Sequence, residues 1–533
     1  MDKKTFLRLY SLSKKQIPLI AVLCIIAVIS SVLAIRFPIA SKSVIDAATA
    51  QTGVLKAIIP LAILLISQLF LNILFSILYT VAHGKMLMSM RIDIFNSSLR
   101  KDYLSISSYH SGELVNRING DTSVVCNGIF DILPNVFAIS SRIIFGFITL
   151  YNLDKTFALF SIVLGPVILL TATIYRKRMK ALHKESRKYD GLLKSFMQEC
   201  VRNIPIIKSF RAEGNITCHS EFLHNNLYKV SIKRNVISVI ATIFYFMTMT
   251  SGYYIALAWG AYKLSLGLMS FGTLIAITDL VGQITSPFKT LSSLLPQYYS
   301  VSASMERLTE LDNIETESDE VKFLSTPESI NIENLCFSYG DTKVLEGFNL
   351  KINRGETIAL CGESGIGKST LLLLLTGVLH PKSGRIYAKT AEGETDLNET
   401  TRTVFSYVPQ RSMLISGTIA ENICFTEPFD EKKMFECAEI ACIKDFIMEL
   451  PEGADTILGE EGGGLSGGQI QRLAIARALY CKTHVLLLDE ATSAIDEETE
   501  RKVLSNIKKL GTTCIVVTHR STAIEMCDKA YCI

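Results

Sequence analysis

Thr357-Ile-Ala-Leu-Cys361 runs straight into Gly362-Glu363-Ser364-Gly365-Ile366-Gly367-Lys368-Ser369-Thr370, and that into Leu371–Leu375. The middle segment fits G-x-x-x-x-G-K-[ST], the pattern of a loop that cradles phosphates. Its flanks are what such a loop needs. The run before it reads as a buried strand, and the leucines after it as the core face of a helix. Glycines let successive backbone N–H groups curl around an anion, and the helix N-terminus behind them adds partial positive charge. Lys368 is then placed to reach the β- and γ-phosphates of a nucleoside triphosphate, and Ser369 to hold Mg2+. A chance glycine-rich turn has no reason to carry both flanks.

The chain beyond this loop supplies partners for it. His484-Val-Leu-Leu-Leu-Asp489-Glu490 is an apolar run ending in two carboxylates. It reads as a buried strand with its acids at the C-terminal edge, where ligands bind in open α/β sheets. Asp489 suits the Mg2+ shell, and Glu490 suits a base or positioner for an attacking water. Leu465-Ser466-Gly467-Gly468-Gln469 opens a helical Arg/Ala/Leu pattern running to Ala478. A Ser-Gly-Gly at a helix start is a second anion site. Within one domain that site is redundant, which points to use across a dimer. From residue 330 to 533 short β-branched runs alternate with helical patterns, the signature of an α/β domain.

Upstream the chain changes character. Six stretches, near 17–39, 54–83, 128–152, 155–176, 236–262 and 267–291, are apolar over the ~20 residues needed to cross a hydrocarbon core about 30 Å thick. The third and fourth are joined around Asn152, Asp154 and Lys155, and the fifth and sixth around Lys263 to Gly267, so both pairs are tight hairpins. The other two internal connections are long and basic. One carries Lys85, Arg91, Arg100, Lys101 and Arg117; the other carries Arg176, Lys177, Arg178, Lys180, Lys184, Arg187 and Lys188. Positive loops stay on the cytoplasmic side, so both loops and both termini are expected there. Their length predicts helices that continue well beyond the lipid. Arg36, Arg142 and Asp279 fall inside spans, where charge is costly. Arg36 can snorkel at a helix end. Arg142 and Asp279 either line a substrate path, join an ion pair within the bundle or mark an interface. An acidic stretch beginning near Glu306 leads into a linker at 311–329, read as solvated. The organisation is an α-helical six-span membrane domain (1–310), the linker, and an α/β P-loop NTPase domain (330–533).

Composition agrees. The 533 residues are 49% hydrophobic and 20% charged, with a net charge of +3 and mean hydropathy +0.31. Globular chains carry about 25% charged residues. These figures exclude disorder, a collagen-like fibre and a small secreted scaffold, and a charge so near neutral gives no ground for a nucleic-acid partner. Thirteen cysteines lie scattered without a CxxC pair, so most are expected to be small buried hydrophobes in a reducing compartment. The basic N-terminus precedes an apolar run too long for the core of a signal peptide, and reads as leading into a retained first span.

With these motifs in hand the chain resembles the ATP-binding cassette (ABC) transporters: Leu465–Gln469 is identical to their signature sequence, and the likeness covers nearly the whole chain. The resemblance implies that Tyr339, in Phe337-Ser-Tyr339, stacks on adenine. It makes Gln410, in Val408-Pro-Gln410, the glutamine of the loop that joins Ser369 and Asp489 at Mg2+. It makes Asp496, in Ser493-Ala-Ile-Asp496, part of the D-loop, and His519 the switch histidine at the γ-phosphate. Glu460 resembles a residue of the loop that touches the membrane domain in exporters. Residues 91–121 and 199–210 look like the two intracellular loops, each ending in a short coupling helix, and Arg307 resembles a motif joining the sixth span to the linker.

Six spans ahead of one cassette imply an exporter-type half-transporter that pairs with a second one, as homodimer or heterodimer, with Ser466, Gly467, Gly468 and Gln469 completing the partner's ATP site. The expected cofactors are ATP and Mg2+, and the expected place is a bacterial cell membrane. The implied substrate is a lipid, an amphipathic drug or a hydrophobic peptide. An exporter-fold importer of a metal-chelating compound and a membrane-anchored regulatory ATPase are the alternatives. The chain stops soon after His519, where many relatives continue, and no peptidase-like segment precedes the first span, so leader-peptide cleavage is not expected.

Overall fold

A computed structural model describes the chain apart from residues 1, 2, 110, 364, 411–413, 460 and 461, and apart from the side chains of a further set, mainly 160–177. Ser364 and Glu460 therefore lie outside the described residues. By packing, the chain divides into two units: residues 1–95 with 111–313, and residues 96–110 with 314–533.

Six long helices form the first unit: α1 (Ile17–Thr49), α2 (Val54–Leu99), α3 (Thr122–Leu153), α4 (Lys155–Arg202), α5 (Glu213–Ser265) and α6 (Phe271–Asp312). The longest has 53 residues, about 80 Å at 1.5 Å per residue, far more than a bilayer core requires. The helices run unbroken through Pro38, Pro60, Pro134 and Pro287. Among the described residues Leu7–Thr49, Val54–Leu99 and Ser111–Leu153 are long and apolar enough to cross a membrane. The most apolar stretch of α2 has none of its residues buried, and Leu55, Ile59, Ile63, Ile66 and Phe70 stand exposed along it. Such a face is stable in lipid or against another protein, not in water.

Polar side chains fix the turns. Asp154 alone separates α3 from α4; it accepts from Phe157 N at 3.0 Å and pairs with Lys263 at 2.5 Å, where α5 ends. Asp46, near the end of α1, accepts from Gly272 N and Ser270 Oγ at 3.1 Å each, capping α6. Between α2 and α3 the chain makes a five-residue π turn, Arg117–Asp121. There Arg117 pairs with Glu113 at 2.8 Å and Glu310 at 3.0 Å, and Asp121 takes hydrogen bonds from Ser304 and Arg307. Of the intramembrane charges, Arg36 and Asp279 are exposed on their helices and Arg142 is half-buried. Arg142 Nε is buried without a hydrogen-bond partner, and among the described residues Asp279 makes no ion pair with it.

The second unit is an α/β ATPase-type domain. Strands are β1 (Ser329–Tyr339), β2 (Thr342–Asn353), β3 (Thr357–Cys361), β4 (Ser383–Thr390), β5 (Gly393–Asp396), β6 (Phe405–Val408), β7 (Gly417–Thr418), β8 (Ile457–Leu458), β9 (Val485–Asp489), β10 (Thr513–Val517) and β11 (Lys529–Cys532). An antiparallel sheet has the order β2-β1-β4-β5, and a parallel sheet has β11-β3-β10-β9-β6. In the parallel sheet β9 and β10 are buried throughout. Their alternate residues feed two cores: Val485, Leu487, Ile515 and Val517 pack with the helix Lys368–Leu375, here α7, while Leu486, Leu488, Cys514 and Val516 pack with Gly467–Tyr480, here α8. Burial on both faces explains why these strands read as continuous apolar runs.

Two expectations need correction. The stretch from Glu306 is an irregular, solvated segment only in part: residues 318–323 stand exposed outside any helix or strand, but what precedes them is helical and ion-paired. Helix α6 continues to Asp312, Glu310 pairs with Arg117 and Asp312 with Arg8, and Glu317 pairs with Arg402 at 2.6 Å. Basic residues placed far away in sequence neutralise the run. Nor are most cysteines fully buried: all thirteen are free thiols, but only Cys126, Cys424, Cys437 and Cys514 are sealed from solvent.

Candidate functional site

The site is assembled at the C-terminal edge of the parallel sheet. β3 delivers Gly362, and the loop turns into α7 through Gly367, whose φ is +114°. A Cβ at Gly367 would lie 2.5 Å from Val344 Cγ1, so both backbone and space demand glycine there. Lys368 is buried, and its ammonium folds back to donate to Gly362 O at 2.7 Å and Glu363 O at 2.8 Å. The cation thus lies beneath the loop, with Gly365 and Ile366 exposed above it. Tyr339, at the end of β1, is 40% exposed and its hydroxyl lies 3.4 Å from Thr370 Oγ1.

β9 delivers the two acids. Ser369 Oγ donates to Asp489 Oδ1 at 3.0 Å, and Tyr407 OH to Oδ2 at 3.0 Å. Asp489 is 2% exposed. Burial pushes its carboxyl above the ordinary range against the hydrogen bonds from Ser369 and Tyr407 and the charge of Lys368. Glu490 follows with φ +49°, a left-handed conformation that costs a non-glycine residue about 1 kcal/mol or more. Its N–H donates to Val517 O at 3.0 Å, which locks the turn to β10. Its carboxylate sits between two of the sequence-predicted partners. Gln410 Nε2 donates to Oε2 at 2.7 Å, and His519 Nε2 lies 3.5 Å from Oε1.

The serine-glycine-glycine segment opens α8. Ser466 caps it: Gln469 N donates to Ser466 Oγ at 3.3 Å, and Ser466 N to Gln469 Oε1 at 2.7 Å. Their side chains are engaged in a capping box, but the backbone N–H groups of the first turn remain directed outward from an exposed helix start. Gly468 touches the D-loop, where a Cβ would come 2.9 Å from Ala494 O. Asp496 caps the helix Glu497–Lys509, here α9, accepting from Thr499 N at 2.9 Å. The N–H of Thr499 holds its carboxyl below the ordinary value. Among the described residues neither Ser466 nor Asp496 hydrogen-bonds to the phosphate loop. One chain brings Lys368, Ser369, Asp489, Glu490, Gln410 and His519 together and leaves these two facing away from the cluster's hydrogen bonds.

Three contributors escaped the sequence reading. Gln471 Nε2 donates to Ser493 Oγ at 3.0 Å and Glu490 O at 3.4 Å, and Gln471 Oε1 accepts from Ala494 N at 2.9 Å. Arg520 donates to Ser493 O at 2.7 Å and Ile495 O at 2.6 Å while pairing with the fully buried Glu500 at 3.1 Å. Tyr407 grips Asp489. A glutamine within a helix, an arginine after a histidine and a tyrosine in a strand carry no spacing signal; their roles exist only through the fold.

The donor set fits a hard cation. A hydroxyl and one buried carboxylate 3.0 Å apart supply oxygen alone, as Mg2+ prefers when phosphates and water complete its shell. The described residues hold no cluster of three His, Cys, Asp or Glu side chains suited to a metal.

Comparison with known proteins decides the family. A model described as the ABC transporter transmembrane region matches residues 20–288, and one described as ABC transporter matches residues 345–493. The chain belongs to the ABC transporter family. Transporters of this family hydrolyse ATP to drive transport, and the chain carries both the membrane and the ATPase parts of that design. It is 28% identical over 454 residues to the ATP-dependent lipid A-core flippase of Photobacterium profundum, covering 84% of this chain and 78% of that one. It is 37% identical over 284 residues to an Escherichia coli protein named a probable microcin-H47 secretion/processing ATP-binding protein. That match covers 52% of this ABC transporter but 40% of the relative, so the chain spans well under two thirds of that protein's length. Its fold matches a bacterial Atm1-family ABC exporter with ATP bound, with a TM-score of 0.82 over 98% of this chain and 93% of that one at 22% identity.

Proposed function

We propose that this ABC transporter is a half-transporter that works as a dimer in a bacterial cell membrane, with both termini cytoplasmic, exporting a lipid, an amphipathic drug or a hydrophobic peptide. The observation that carries the proposal is the Gln410–Glu490–His519 cluster beside the Ser369–Asp489 pair. Glu490 is held by its neighbours at a strand edge, as a group that must accept a proton from one water at one place would be. In this reading Glu490 orients and deprotonates water for in-line attack on the γ-phosphorus. Lys368 exchanges its loop carbonyls for phosphate oxygens and balances charge. Gln410 and His519 fix Glu490 and report the γ-phosphate. Ser369 and Asp489, with the carbonyl of Gln410, would hold Mg2+, which neutralises charge on the phosphates when bound. Tyr339 supports adenine.

The N–H groups of Gly467 and Gly468, which make no hydrogen bond among the described residues, support a second copy. Each chain then completes its partner's ATP site, and Asp496 lies at the seam. The exposed apolar helices and the near full-length likeness to a protein named a lipid A-core flippase support an apolar or amphipathic substrate.

The test is direct. Purified Glu490→Gln protein should bind ATP and release phosphate about 100-fold more slowly or worse. Reconstituted vesicles should move a labelled lipid or amphipathic dye with ATP, and Lys368→Ala should abolish that movement. Unchanged turnover in the Gln variant would refute the assigned roles. ATP hydrolysis without movement of any candidate would favour a regulatory ATPase.

A further inference from the structure

Tyr407 takes no part in the chemistry just proposed. It lies on β6, with Leu487 of β9 as its cross-strand neighbour, and its hydroxyl donates to Asp489 Oδ2 at 3.0 Å. The other carboxylate oxygen, Oδ1, accepts from Ser369 at 3.0 Å. These two hydrogen bonds are not equivalent. Ser369 sits at an exposed helix start and is itself a proposed ligand, whereas Tyr407 is fixed in the interior of a strand paired along its length. Asp489 is too buried for water to replace either bond. Two residues beyond the end of β6, Gln410 holds Glu490 at 2.7 Å. One strand end therefore grips both neighbouring carboxylates, each from a residue of its own.

We infer that Tyr407 is a positioning residue for the metal site, its hydroxyl pinning Asp489 Oδ2 so that Oδ1 stays on the Ser369 side. Partners of this kind orient a ligand carboxylate, and their loss typically weakens metal binding. The competing reading is packing alone: a strand tyrosine fills space, and its hydroxyl takes the nearest acceptor.

The inference rests on the proposed role of Asp489, and the experiment separates the two. Mn2+ binding is followed by electron paramagnetic resonance on the full chain with ATP, in a Glu490→Gln background so that nucleotide is not consumed. Tyr407→Phe should weaken Mn2+ about 10–100-fold and leave metal-free ATP binding unchanged. In the otherwise unaltered protein, turnover of the Phe variant should recover as Mg2+ is raised. If Tyr407→Phe holds Mn2+ as tightly as the parent while Tyr407→Leu does not, the ring and not the hydroxyl matters, and the inference falls. Equal loss of ATP binding with and without metal would also overturn it. Asp489→Asn is the reference: if it keeps full Mn2+ affinity, the reading of Asp489 fails; if it loses Mn2+ while Tyr407→Phe does not, only the role of Tyr407 fails.

Discussion

Glu490 illustrates how a residue's function is prepared by atoms that never touch substrate. Its φ of +49° is strained, and the strain is held by Val517 O, by Gln471 and by the Arg520 clamp on the following carbonyls. Gln471 makes three of these hydrogen bonds. One of them reaches Glu490 itself, and a net hydrogen bond contributes about 1 kcal/mol, so Gln471→Ala should lower turnover about fivefold with little change in ATP affinity. Phosphate release and equilibrium nucleotide binding measure the two separately. Arg520→Ala is harsher, because Glu500 is completely buried and would lose its counter-charge. About 3 kcal/mol of stability should go with it, read by denaturant or thermal unfolding.

At the scale of elements, short polar clamps join distant segments. Asp121, on the π turn, is 4% exposed and held by Arg307 of α6. Arg307 is itself 44% exposed, so screening reduces the pair, and Arg307→Ala should cost about 1–2 kcal/mol. Adding Asp121→Asn should recover most of that loss, because the neutral amide needs no counter-charge. Recovery in thermal unfolding of the double variant would identify the charge, not packing, as the cause. A second clamp holds the segment 96–110 within the ATPase unit: Lys101 donates to Ile314 O at 2.7 Å and Thr316 Oγ1 at 3.0 Å, and Glu317 N to Arg100 O at 2.8 Å. The short helix Tyr103–Ser107 follows directly. The C-terminal strand β11 is anchored by Asp528, whose carboxyl accepts from Lys508 at 2.6 Å and Thr357 N at 2.9 Å. Lys508 and then the Thr357 N–H hold its pKa below the ordinary 3.8. The stability it contributes is therefore complete above that value and drains away as pH falls through the lower folded-state value. Asp528→Asn should lower stability at neutral pH and remove that part of the acid dependence, measured as unfolding midpoints from pH 6 downward.

For the whole molecule, mean hydropathy +0.31 and a charge of +3 average over two unlike units. One exposes apolar helices to lipid; the other buries its apolar strands between two helical layers. In the proposed dimer, each ATP site joins the phosphate loop of one chain to Ser466 and Gly468 of its partner. Mixing wild-type and Glu490→Gln chains before reconstitution should then depress ATP turnover below the wild-type fraction. A strictly proportional decline would mean that each chain hydrolyses alone.

Sequence alone determined what local chemistry dictates. Glycines with a following Lys-Ser, an apolar strand ending in Asp489-Glu490 and long apolar runs each impose their structure on a short window, because backbone geometry, phosphate binding and lipid solvation act locally. Tertiary structure alone decided what depends on which windows meet. Tyr407 on Asp489, Gln471 and Arg520 around the D-loop, and Arg8, Arg117 and Arg402 neutralising acids of a stretch read as free linker are contacts between residues tens to hundreds of positions apart. No periodicity or spacing encodes them, since the hydrogen bonds and ion pairs form only after strands and helices have packed.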